Sequence, residues 1–113
     1  TTRLPGPTTA AYAGARAGID YAMKVAVVEY ADKKVRFNSI AAGLIETDMT
    51  EVFFGMEPII AAHLKATPAG RMGTLDDMAE AAAFLADDVK SSYINGQILD
   101  VAGGQQMGLL PTF

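Results

Sequence analysis

The sequence predicts an α/β fold with a parallel sheet, and the order of its apolar patterns is the main evidence. A helical pattern over about residues 10–30 precedes a short apolar strand that ends near residue 42. A loop with a helical pattern follows over residues 50–67, then a turn over residues 68–74 and a helix over about residues 75–87. A second strand follows over residues 97–101. Strands that alternate with helices pair in parallel. Because two strands make too small a sheet to bury a core, we expect additional chain to complete it.

Length and composition limit the classes of protein that the sequence can encode. The 113 residues suffice for one small domain, half of them are hydrophobic, and the first residue is Thr1. We therefore expect a piece of a longer protein. The absence of cysteine excludes disulfides and thiolate metal sites. No apolar run reaches the ~18 residues that a membrane span needs, and no signal-peptide pattern is present. A net charge of −4 with scattered basic residues argues against nucleic acid as a partner. A cytoplasmic protein is expected.

The first helix and strand are predicted from the spacing of apolar residues. The helix carries a stripe with a period of about 3.6 residues, formed by Ile19, Met23, Val27 and Tyr30. After a turn at residues 31–33, the segment KVRFNSIAA predicts a strand that begins near Lys34.

The second half of the chain has clear signals for a helix and a strand. Thr74 and Asp77 have the spacing of a capping box, with aspartate in place of the usual glutamate or glutamine. The helix predicted over residues 75–87 should pack through Met78, Ala81, Ala82 and Leu85. The last strand is closed by Gly103 and Gly104.

Two tyrosines are followed four residues later by a cation. The pairs are Tyr12 with Arg16 and Tyr30 with Lys34. A phenol, whose pKa is near 10, exchanges protons poorly at neutral pH unless a nearby cation stabilises the phenolate. One helical turn places both members of such a pair on the same side of a helix. Since Lys34 falls after the helix, only Tyr12 and Arg16 have this geometry.

Several short motifs follow one another in a characteristic order. They are Tyr12-x-x-x-Arg16-Ala17-Gly18, Arg36-Phe37-Asn38-Ser39-Ile40, Gly43-x-Ile45-x-Thr47-x-Met49, Arg71-Met72-Gly73, and Asn95-Gly96-Gln97 with Asp100-Val101-x-Gly103-Gly104. In order and spacing they resemble the second half of a short-chain dehydrogenase/reductase, over about residues 5–104. The resemblance implies the C-terminal portion of a Rossmann-like, doubly wound parallel sheet. Residues 1–113 would then be the C-terminal part of a single domain, and the dinucleotide-binding half would lie upstream of Thr1.

The resemblance also assigns catalytic residues. In the family, a tyrosine is the general acid/base and a lysine four residues later supports it. In the family, a helix and a strand separate the tyrosine from the glycine loop that contacts the cofactor. Tyr12 has this separation from Gly43 and so matches the tyrosine, whereas Tyr30 does not. Arg16 replaces the lysine; it keeps the positive charge but does not release a proton near neutral pH. Tyr30 is expected to be a helix-end aromatic that packs on the core.

The remaining site residues follow from the same resemblance. Residues Gly43, Ile45 and Thr47 would hold the nicotinamide of NAD or NADP, although Ala42 replaces the proline usual before the glycine. The segment that covers the substrate would include Met49, Phe53 and Phe54, which implies an apolar alcohol or ketone. A homo-oligomer, either a dimer or a tetramer, is expected. No metal site is predicted, since no acidic or thiol side chain lies at a spacing from His63 that would allow both to bind one metal ion.

Two functional hypotheses remain open. The first is NAD(P)-dependent oxidation of a secondary alcohol or reduction of a ketone by the complete protein. The second is a catalytically inactive family member, or a fragment that only assembles with other chains. In both cases the isolated 113 residues should bind a dinucleotide poorly, because the phosphate-binding loop lies elsewhere.

Overall fold

The computed structural model describes residues 10–48 and 57–105. Helix α1 comes first and is followed by a short 3₁₀ turn, strand β1, helices α2 and α3, and strand β2. Their bounds are Ala10–Glu29 for α1, Ala31–Lys33 for the 3₁₀ turn, Ser39–Ala42 for β1, Glu57–Lys65 for α2, Leu75–Ala86 for α3 and Ile98–Val101 for β2. This order confirms the predicted α/β class.

The two strands form a parallel pair, as predicted. Ser39 lies opposite Ile98 and Ala42 lies opposite Val101, so the strands start and end in step. Helix α3 precedes β2 in the chain and contacts both strands. The carboxyl ends of β1 and β2 therefore open onto one edge of the sheet, which is where ligands bind in open α/β folds.

Strand β1 begins at Ser39, so the prediction of a strand starting near Lys34 was wrong. The backbone before Ser39 is bonded to the loop that precedes β2. Phe37 donates its N–H to the side-chain oxygen of Asn95 at 2.9 Å and accepts a hydrogen bond from the N–H of Gly96 at 2.7 Å. Because side-chain and loop groups satisfy this backbone, no regular ladder forms there.

Arg36 fastens the same loop to the amino end of the sheet. Its guanidinium donates to the carbonyl oxygens of Ser91, at 2.9 Å, and Ile94, at 3.2 Å. It also forms an ion pair with Asp88 at 3.2 Å. Ser91 is only 1% exposed, so the guanidinium satisfies a carbonyl group that has little access to water.

Helix α3 begins with the predicted capping box. The Thr74 hydroxyl accepts a hydrogen bond from the N–H of Asp77, and the Asp77 carboxylate accepts one from the N–H of Thr74 at 2.8 Å. Aspartate therefore replaces glutamate in this motif without loss of either bond. Met78, Ala81 and Leu85 are partly buried as predicted, whereas Ala82 is exposed.

Helix α1 is much less covered than its apolar stripe predicted. Met23 and Val27 are partly buried, but Ile19 is 62% exposed. Tyr30, expected to pack on the core, is half exposed and touches the ring of Phe37 with a centroid distance of 5.8 Å. Among residues 10–48, 58 and 60–105, no hydrophobic side chain is fully buried. The apolar period is present, but the described part of the chain supplies too little surface to cover it.

Candidate active site

The loop after β1 crosses closely over the loop after β2. Gly43 donates its N–H to the carbonyl oxygen of Val101 at 3.1 Å. A Cβ atom at Gly43 would lie 2.7 Å from the Cβ of Ala102, closer than side chains approach one another. The sequence suggested that Gly43 allows close approach of a ligand; in the structure, the close neighbour is Ala102.

A second crossing fixes the segment around Ile45. Gly73 donates its N–H to the carbonyl oxygen of Leu44 at 2.9 Å and accepts the N–H of Glu46 at 2.9 Å. These two bonds flank Ile45, which forms an isolated parallel bridge with Gly73. A Cβ atom at Gly73 would lie 2.5 Å from the Cδ1 atom of Ile45, so a larger residue here would require the end of the Ile45 side chain to move.

The loop between α2 and α3 meets the end of β2. Ala69 donates its N–H to the carbonyl oxygen of Gly103 at 2.9 Å. Gly103 has a φ of +60°, and a Cβ atom there would lie 2.9 Å from the Cβ of Ala69. Thr67, which is buried, donates its hydroxyl to the carbonyl oxygen of His63 at 2.7 Å. Two independent requirements, positive φ and close contact, therefore favour glycine at position 103.

These three loops enclose a small cleft at the carboxyl edge of the sheet. Its volume is about 150 Å³, and its walls include Ile45, Met78, Val101 and the pair Arg71 and Asp77. The cleft is therefore lined by both apolar and polar groups, with the two charged side chains in one wall.

Arg71 and Asp77 form a bidentate ion pair in that wall. The two guanidinium nitrogens lie 2.7 Å and 3.2 Å from the two carboxylate oxygens. Hydrogen bonding to Arg71, followed by the backbone hydrogen bond from Thr74, holds the pKa of Asp77 well below its usual range. The sequence analysis identified Arg71 only as part of a motif and missed this pair. Its signal was an arginine shortly before the acidic first turn of a helix.

Tyr12 and Arg16 lie one turn apart on α1. The guanidinium carbon of Arg16 is 6.0 Å from the centroid of the Tyr12 ring, which is within the range of a cation–π contact. Tyr12 is 64% exposed. By contrast, Lys34 has a left-handed backbone with a φ of 55° after the 3₁₀ turn, so Tyr30 and Lys34 are not one helical turn apart.

The structure therefore groups the predicted site residues on two separate elements. Tyr12 and Arg16 are on α1, while Gly43, Ile45 and the partly buried Thr47 are in the loop after β1. The substrate residues predicted from the resemblance, Met49, Phe53 and Phe54, lie outside the described residues. No cluster of three metal-binding side chains occurs within the described ranges. His63, for which no metal role was predicted, is partly buried on α2.

Comparison with known proteins identifies the family. Residues 2–106 match the family described as enoyl-(acyl carrier protein) reductase. The chain is 46% identical over 101 residues to 3-oxoacyl-(acyl-carrier-protein) reductase FabG of Chlamydia muridarum, covering 88% of this chain and 38% of that protein. It is 39% identical over 110 residues to 3beta-hydroxysteroid dehydrogenase 1 of Eggerthella lenta, covering 97% of this chain and 41% of that protein.

Solved structures agree with the sequence relatives. A short-chain type dehydrogenase/reductase from Mycobacterium ulcerans superposes with a TM-score of 0.88 at 31% identity, covering 99% of this chain and 40% of that chain. A gluconate 5-dehydrogenase from Burkholderia cenocepacia, solved in complex with NADP and tartrate, also gives a TM-score of 0.88 at 31% identity. In that case the match covers 96% of this chain and 42% of that chain.

Fold and comparisons together define an oxidoreductase-type α/β chain with a Rossmann-like arrangement. The chain belongs to the short-chain dehydrogenase/reductase family. It spans about two fifths of the length of the curated relatives reported above. Among its described helices, none is long and apolar enough to cross a membrane.

Proposed function

We propose that the chain is the C-terminal part of an NAD(P)-dependent oxidoreductase that interconverts a ketone and a secondary alcohol. The observation that carries this proposal is the Tyr12 and Arg16 pair, one turn apart on an exposed helix of a family member. The remaining part of the subunit would supply the dinucleotide phosphate site. The compartment of the protein, expected to be the cytoplasm, stays a prediction.

Tyr12 is assigned the proton transfer. In ketone reduction it donates its phenol proton to the carbonyl oxygen, and in alcohol oxidation it accepts that proton back. Arg16 places a fixed positive charge beside the ring, 6.0 Å from its centroid. Because arginine stays protonated, it cannot relay the proton onward, so another group must restore the Tyr12 proton.

The loop after β1 is assigned to the cofactor. When bound, NADH or NADPH supplies the hydride, and the oxidised forms accept it. The described residues fit one end of such a cofactor, because residues 43–47 lie at the carboxyl edge of the parallel strands. Gly43, Ile45 and Thr47 would contact the nicotinamide. The neighbour from Burkholderia cenocepacia holds NADP, which supports this cofactor class.

The substrate is proposed to be an apolar ketone or secondary alcohol, covered by a segment containing Met49, Phe53 and Phe54. The names of two relatives support this class: one reduces a 3-oxoacyl group and the other oxidises a 3beta-hydroxysteroid. Assembly into a homodimer or homotetramer is proposed from α1, which exposes the apolar side chains of Tyr21, Val25 and Val28 along one stripe.

A variant series in the complete subunit tests the catalytic assignment. Tyr12→Phe removes the exchangeable proton and should lower kcat by about 10²- to 10⁴-fold, the usual contribution of general acid–base catalysis. Tyr21→Phe is the matched control, because it makes the same change on an exposed tyrosine of the same helix. Equal turnover by both variants would refute the assignment.

Arg16 motivates the second candidate function, a catalytically inactive subunit that only assembles. Arg16→Lys should raise turnover if the site is an enzyme weakened by the arginine. Absence of turnover in both the parent and Arg16→Lys, with a panel of ketones and both reduced cofactors, would favour the inactive alternative.

The isolated 113 residues should show no enhancement of NADH fluorescence at micromolar concentrations, and binding there would contradict the proposed division of the site.

A further inference from the structure

We propose that Arg71 and Asp77 are positioning residues that hold the Ile45 segment in place for the cofactor. This inference rests on the proposed function, which assigns Ile45 to the nicotinamide. It concerns two residues that are paired with each other at 2.7 Å and that are assigned neither the proton transfer nor a contact with the cofactor. Their effect would pass through the backbone of Gly73.

The first step is the link between the ion pair and the turn at residues 71–74. Arg71 donates to the carbonyl oxygen of Met72 at 3.0 Å as well as to Asp77. The same Asp77 oxygen that accepts from Arg71 accepts the N–H of Thr74 at 2.8 Å. The peptide groups on both sides of Gly73 are therefore held by one guanidinium and one carboxylate.

The second step is the link between Gly73 and the proposed cofactor loop. The N–H of Gly73 bonds to Leu44, and its carbonyl oxygen bonds to Glu46. Both partners are immediate neighbours of Ile45 in the chain. A shift of the Gly73 backbone would therefore shift the peptides that flank Ile45, since hydrogen bonds on both sides couple the two segments.

The third step is packing. The Ile45 side chain lies directly over the Gly73 Cα, where a methyl group would collide with it. The same cleft wall contains Ile45, Gly73, Arg71 and Asp77. Sub-ångström placement of contact groups is what a preorganised site requires, and this wall places Ile45 through contacts on two sides.

The ion pair is well exposed on the arginine side, and exposed ion pairs add little to global stability. This separates the proposal from a purely structural role. If the pair were purely structural, breaking it would change the melting temperature and leave the ratio of kcat to the KM for the cofactor unchanged. A positioning pair changes the KM for the cofactor while the melting temperature stays nearly constant.

Kinetics of the complete subunit test the proposal. Arg71→Met should raise the KM for NADH or NADPH about fivefold, with kcat changed less than twofold. Arg71→Lys, which keeps the charge without the bidentate geometry, should restore part of the loss. Asp88→Asn is the matched control, because it breaks a similar ion pair at the opposite end of the sheet. Its KM should equal that of the parent.

Amide hydrogen exchange of the complete subunit adds a readout that is independent of turnover. In Arg71→Met, the amide hydrogens of Gly73 and Glu46 should exchange at least about threefold faster than in the parent, and in Asp88→Asn they should not. Unchanged KM in both Arg71 variants, together with unchanged exchange at Gly73 and Glu46, would overturn the proposal. Equal turnover of Tyr12→Phe and Tyr21→Phe would instead overturn the proposed function. The two failures are therefore distinguishable.

Discussion

Helix α1 and the loops around the sheet differ in how closely other parts of the chain pack against them. The loops around β1 and β2 are joined by backbone hydrogen bonds, and a Cβ atom at Gly43 or Gly103 would lie within 3 Å of an alanine. Helix α1 has the opposite character: outside the helix itself, no described residue comes within 4 Å of a Cβ position at Gly14 or Gly18, and Val28 is 76% exposed. One region is packed to contact, and the other presents an uncovered surface.

This difference indicates which part of the molecule needs contacts from outside the described residues. The sheet edge obtains its order from residues that are close to it in space within this chain. Helix α1 has a favourable apolar pattern, but its described contacts are few; Val27 lies near Gly96, and Tyr30, just after the helix, touches Phe37. We therefore expect α1 to be completed by the rest of the subunit and by a second copy.

The largest expected effect on stability comes from removing the hydrogen bonds of Arg36 to the loop before β2. Arg36→Met leaves the carbonyl oxygens of Ser91 and Ile94 without their charged donor and should lower the free energy of unfolding by about 3 kcal/mol. Urea denaturation of the complete subunit measures this change. Lys33→Met is the control, because Lys33 forms an exposed ion pair with Asp32, and its removal should change the value by less than about 0.5 kcal/mol. Equal losses would show that the loop is not anchored by Arg36.

A pair of glycine substitutions should have effects of opposite sign. Gly43→Ala forces a methyl group against Ala102 and should destabilise the complete subunit by about 2 kcal/mol. Gly14→Ala meets no neighbour and improves helix propensity by about 0.8 kcal/mol, so the 113-residue chain should gain helical content by circular dichroism. A neutral Gly43→Ala would mean that the two loops can move apart freely.

The smallest expected effect is the acid response of the α3 cap. The pKa of Asp77 is lower in the folded chain than in the unfolded chain, so the folded state binds fewer protons in acid. The stabilisation is therefore fully present above the ordinary aspartate pKa of about 3.9 and is lost as the pH falls below it towards the folded value. Carboxyl-carbon NMR should show Asp77 still ionised where a free aspartate is half protonated. In Arg71→Met, the titration should move towards the ordinary value.

The sequence predicted well those features that depend on neighbouring residues. The capping box at Thr74 and Asp77 and the course of β2 follow from local patterns, and the structure contains both. The start of β1 could not be predicted this way, because it depends on Asn95, which takes the hydrogen bonds of the preceding backbone. For the same reason, the contact between Gly73 and Ile45 was not foreseen.

Burial of α1 was the other limit of the sequence. An apolar stripe shows that a helix has a face to bury, but not that its cover lies within the same stretch of chain. Ile19 belongs to the predicted stripe and is nevertheless exposed. For the candidate site, the spacing of Tyr12 and Arg16 was readable from the sequence, while the role of Arg71 required the fold.

Amide hydrogen exchange of α1 tests the central claim most directly. In the 113-residue chain, the amides of residues 14–28 should exchange at least about 100-fold faster than those of β2. In the complete subunit, the same α1 amides should slow to the rates of the strands, because the rest of the protein covers the helix. Equal protection of α1 and β2 in the isolated chain would contradict the account, since it would show that the helix needs no further partner.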